Sequence, residues 1–113
     1  MNLQAWIYAL PMAGRDADAA VAQVAALREA LDPMLARGAF AGWHAAALLS
    51  EDDLEEEDID PEWIEPATGG ELPAVFLNIT YDRDRGPAGD AELDALFART
   101  GLRHTLTDPP VSD

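Results

Sequence analysis

Residues 51–65, EDDLEEEDIDPEWIE, hold ten carboxylates and no basic side chain. Like charges at this density repel one another, so the run is expected to stay at the surface as a long connection. It divides the chain into two stretches that share the making of a core. Threaded through it are Leu54, Ile59, Trp63 and Ile64. A tract that serves only solubility has little use for two isoleucines and an indole.

The stretch before the run reads strand, helix, strand. Residues 3–10, LQAWIYAL, are apolar on both faces of an extended chain, with Leu3, Ala5, Ile7 and Ala9 on one side and Trp6, Tyr8 and Leu10 on the other; such a strand belongs inside a sheet. Asp16 or Asp18 caps a helix whose stripe is Val21, Val24, Leu27 and Leu31. Asp32-Pro33 either kinks that helix or, the reading preferred here, starts a second short one that ends at Gly38. Residues 40–49, whose alanines would accept a helix equally well, are read as a strand, with Trp43, Ala45, Ala47 and Leu49 on one face and Phe40, His44 and Leu48 on the other.

The run itself carries helix-start signals: Ser50 with Asp53 three residues on, and Asp60-Pro61. Gly69-Gly70 ends it. The second stretch repeats the first. Residues 74–82 form the cleanest strand, with Val75, Leu77, Ile79 and Tyr81 on one face and Phe76, Asn78 and Thr80 on the other. The segment RDRGPAG turns the chain. Asp90 caps a helix bearing Leu93, Leu96 and Phe97, Gly101 terminates it, and 102–107 make a last strand.

The order β-α-β, acidic insertion over 50–70, β-α-β resembles the split βαβ, ferredoxin-like arrangement. That likeness implies one α+β domain over 1–113, with a four-stranded antiparallel sheet, two helices on one face, and the first and third strands central. With helices on one side only, Trp6, Tyr8, Leu10 and Phe76 are expected to form an apolar patch on the open face. Such a patch needs a cover: the insertion folded back, a second copy of the chain as a homodimer, or a partner protein.

The formal charge is −15, from 22 acids against seven bases, all arginine. Outside the run the balance is only −5, so the acidity is local and not that of a salt-adapted surface. No basic footprint is present for nucleic acid or anionic membrane. Cysteine is absent, which excludes disulfides, thiolate metal sites and a thiol nucleophile. The opening residues lack a basic n-region and a long apolar segment, so a cytoplasmic location is expected. Asn78-Ile79-Thr80 matches a glycosylation sequon, accidental inside a strand.

The favoured reading is a module that binds a basic protein, as an inhibitor or immunity-type protein fills a cationic cleft. Asp52, Asp53, Glu55, Glu56, Glu57, Asp58, Asp60 and Glu62 are the contact acids, with Trp63 and Ile64 as apolar anchors. No cofactor or metal is expected, since the run lacks the glycine and spacing of a calcium loop. The alternative is a dimeric small-ligand protein or enzyme with a pocket of Trp6, Tyr8, Trp43 and His44 on the open face. No catalytic motif supports it; His104, between Leu102 and Leu106, reads as a buried or half-buried core histidine.

Overall fold

The computed structural model describes residues 3–82 and 90–107. The four strands are β1 (Leu3–Pro11), β2 (Gly42–Leu48), β3 (Ala74–Asp82) and β4 (Arg103–Thr107). They lie in the order β2-β3-β1-β4, with every neighbouring pair antiparallel. The two strands that are apolar on both faces, β1 and β3, are the central ones. The domain is α+β, with helices α1 (Ala17–Ala36), α2 (Glu51–Glu56), α3 (Glu65–Thr68) and α4 (Ala91–Thr100).

Helix α1 starts where Asp16 accepts a hydrogen bond from the Ala19 backbone N–H at 2.9 Å. It does not break at Asp32-Pro33, contrary to the preferred expectation; one helix runs through Pro33 to Ala36. Pro33 removes only the hydrogen bond to the Glu29 carbonyl. Both residues lie on the exposed side, where water can satisfy that carbonyl. Helix α4 is capped by Asp90, which accepts from the Glu92 and Leu93 N–H groups at 3.1 Å. It ends at Gly101, whose φ of 85° is a left-handed conformation open to glycine. Arg37, just past α1, reaches Asp90 and Glu92 and ties the two helices together.

The side chains of α1 and α4 bury one face of the sheet. Leu27, Leu31, Met34, Leu93 and Leu96 pack with Tyr8, Val75, Leu77, Ile79 and Tyr81, and with the partly buried Trp6, Leu10 and Trp43. The expected open patch is therefore corrected. In the β1–β3 register Tyr8 faces Leu77 and Ala9 faces Phe76, so Phe76 lies across the sheet from Trp6, Tyr8 and Leu10, which are under the helices. Phe40 precedes β2 and joins this helix-side core instead of the opposite face.

The second face is not open either. Ile7, Ala9, Ala46, Leu48 and Phe76 are covered by Leu54, Ile59, Ile64 and Ala67 of the acidic insertion. Of the three possible covers the chain supplies its own. The turn expected at 83–89 and the tail 108–113 lie outside the described residues.

Candidate functional site

The insertion folds as three short pieces hung on four apolar residues. Leu54, Ile59 and Ile64 retain 7%, 6% and 2% of their surface, and Ala67 is equally buried. Helix α2 begins as the Ser50–Asp53 spacing predicts: the Asp53 carboxylate accepts from the Leu49 and Ser50 N–H groups at 2.8 and 3.3 Å. Its end is a Schellman motif. The Ile59 N–H reaches the Leu54 carbonyl at 2.8 Å, the Asp58 N–H reaches that of Glu55, and Asp58 takes a φ of 58°. This turn brings Ile59 beside Leu54, so two apolar residues five apart enter one cluster.

Asp60 then caps the 3₁₀ turn Pro61–Trp63 by accepting from the Glu62 N–H at 3.0 Å. Helix α3 closes on Thr68, a buried hydroxyl that donates to the Ile64 carbonyl and accepts from the Gly70 N–H. Two further ties fix the insertion to the sheet. Thr105, at the register shift of β4, donates to the Trp63 carbonyl. His44 of β2 meets Glu57 at 3.1 Å.

The structure sorts the expected contact acids into two groups. Asp53, Asp60 and Glu57 are occupied in holding the insertion together or onto β2. Asp52, Glu55, Glu56, Asp58 and Glu62, joined by Glu51 and Glu65, are exposed, and their carboxylates have no ion-pair partner among the described residues. Of the two expected anchors, Trp63 is half-buried. Ile64 is fully buried within the domain and is not available to a partner; its role is to hold the insertion.

The alternative pocket of Trp6, Tyr8, Trp43 and His44 does not assemble. Adjacent strand residues point to opposite faces, and His44 lies on the insertion side while Trp6, Tyr8 and Trp43 pack under the helices. Sequence reasoning missed the polar pair inside that helix-side core: the Tyr8 and Tyr81 hydroxyls meet at 2.9 Å. Burial pushes the Tyr8 phenol up to about 12. Burial, the bond to Tyr8 and the nearby Asp90 charge raise Tyr81 as well. Both stay neutral at physiological pH. His104 stacks on Trp6 with ring centroids 4.5 Å apart; partial burial holds its imidazole below the usual range, and Thr107 Oγ1 lies 2.7 Å from Nε2. His104 is nonetheless exposed rather than the core histidine expected, its ring laid over Trp6 at the surface.

Among the described residues no group of three or more metal-ligating side chains is close enough to hold an ion. No described helix is long and apolar enough to cross a membrane. The protein-family models, the curated proteins and the solved structures offer no match to this chain.

Proposed function

We propose that this domain is a cytoplasmic binding module whose acidic insertion receives a basic protein partner, in the manner of an inhibitor that fills a cationic cleft. The observation that carries the reading is the division of labour inside the insertion. Four apolar side chains fix it to the sheet and three carboxylates are spent on its caps and on His44, while seven carboxylates are left without a partner among the described residues. A rigid array of like charge stores repulsion that a cationic surface relieves, and its field steers the encounter. A fixed array also loses less entropy on binding than a floppy acidic tail.

The strand order β2-β3-β1-β4 with its two helix-borne crossovers supports the finer reading of the fold as a ferredoxin-like split βαβ. On that reading the insertion occupies the sheet face that the two longer helices leave uncovered. The rival small-ligand or enzymatic role, and a homodimer through an open face, both require that face to be bare. The buried Leu54, Ile59 and Ile64 argue against them.

The test is a variant with Asp52, Glu55, Glu56, Asp58 and Glu62 changed to the matching amides. These acids make no structural hydrogen bond through their carboxylates, so the fold is retained. The proposal expects basic proteins that bind the native domain in host extract to be lost from the variant, and the native interaction to weaken steeply with salt. Equal recovery of the same proteins by both would overturn it.

A further inference from the structure

The insertion is not a uniformly charged cap, for it contains a hollow. Between α2, the 3₁₀ turn and the return to β3 lies a cavity of about 410 Å³ whose floor is Leu54, Ile59, Ile64 and Leu72 and whose rim carries Glu51 and Glu55. It adjoins a more open hollow of about 660 Å³ that shares Leu54, Glu55 and Ile59 and extends to Asp58, Asp60 and Trp63. The site is thus an apolar floor inside an acidic rim. Its volume lies within the range of cavities that bind ligand groups.

We infer that this hollow seats an apolar side chain of the basic partner, so that the recognised element is a segment in which a leucine-like or aromatic residue is flanked by Lys or Arg. The inference rests on the proposed function and names the chemistry of its partner. Charge complementarity chooses the occupant. A purely apolar segment would leave the Glu51 and Glu55 carboxylates desolvated without a counter-charge, which is unfavourable. A purely cationic segment would leave the half-buried Leu72, and the edges of Leu54 and Ile59 that reach the hollow, wet. A segment with both satisfies floor and rim together, in the arrangement of apolar centre and charged margin by which interfaces gain specificity. A second copy of the chain is a poor occupant, since its net charge of −15 repels the rim.

The experiment compares octalysine with the same peptide carrying two leucines inserted at its centre, so that the charge is equal, by calorimetric titration into the native domain. Seating one leucine should tighten binding about tenfold or more. The gain should vanish in Leu72→Trp, which fills the hollow, and in Leu72→Ser, which makes its half-buried edge polar, while octalysine binding is unchanged in any variant that keeps the native circular dichroism. Equal affinity for the two peptides would overturn the inference and leave the charge-based reading standing. If neither peptide binds in a salt-sensitive way, the proposed function fails as well. Tighter leucine-peptide binding that persists in both variants would place the apolar contact elsewhere and also overturn it.

Discussion

Replacing Ile64 by alanine is the sharpest probe of how the insertion is held. Ile64 is 2% exposed and sits between the insertion and the sheet, in one cluster with Ile7, Ala9, Leu48 and Phe76. The substitution removes three buried carbon groups, which at about 0.8 kcal/mol each is roughly 2.4 kcal/mol of lost transfer free energy. The cavity left on a rigid β-sheet collapses incompletely and adds to this, for a total of about 3–4 kcal/mol. Urea unfolding followed by circular dichroism measures it, with the neighbouring exposed Glu65→Ala, expected within about 0.5 kcal/mol of native, as the control. If the insertion opens separately, hydrogen exchange at the Ile59, Thr68 and Gly69 amides should accelerate while β1 and β3 stay protected. A loss below about 1 kcal/mol with unchanged exchange would refute the account, because Ile64 would then not be what pins the acids in place.

Three further outcomes follow from the geometry. Asp58 holds a left-handed φ of 58° at the end of α2, so Asp58→Gly should raise stability by roughly 0.5–1 kcal/mol in the same unfolding assay. Thr68→Val keeps the shape but removes the buried hydroxyl's bonds to the Ile64 carbonyl and the Gly70 N–H, and should lower stability by about 1 kcal/mol. The chain has two tyrosines, and both are raised. Ultraviolet titration of the folded protein should therefore show no tyrosinate at pH 10, where an unfolded tyrosine is half ionised. Because the folded pKa values lie above the unfolded one, the tyrosines' contribution to stability is level below pH 10 and is lost as pH rises from there towards about 12.

Much of the frame was legible because periodicity is a local signal. The period-two faces of 3–10 and 74–82, and the Asp90 and Gly101 punctuation, each depend only on near neighbours in the chain. The pocket that joined Trp43 with His44 conflicts with the alternation of adjacent strand residues itself, whereas the misplacing of Phe76 has a different cause. Alternation says which residues share a side of one strand but not which sides of two strands coincide, and only the Tyr8–Leu77 register shows that Phe76 and Tyr8 are apart. The Tyr8–Tyr81 hydroxyl pair was invisible for the same reason. Pro33 misled because local geometry marks it as a start, whereas packing of Leu27, Leu31 and Met34 on the sheet carries α1 through it.

In the insertion, the apolar residues stood out and their role did not. Ile64 looks like an anchor offered to a partner, yet a β-branched residue in a charged run serves equally to fasten that run to its own domain. What separates the two uses is the half of a sheet waiting to be covered, a property of the assembled fold. The helix-start signals at Ser50 and Asp60 did mark which acids would be spent on capping.

The central claim is that cations meet this protein at one ordered place. Nuclear magnetic resonance titration of the labelled domain with octalysine reads that directly. The account predicts amide shift changes confined to residues 51–65 and the facing part of β2, at one saturating stoichiometry, and suppressed as salt shortens the screening length to a few ångström near about 1 M. Changes spread equally over the scattered acids Asp18, Glu29 and Asp94, with the insertion no more affected than they are, would contradict it.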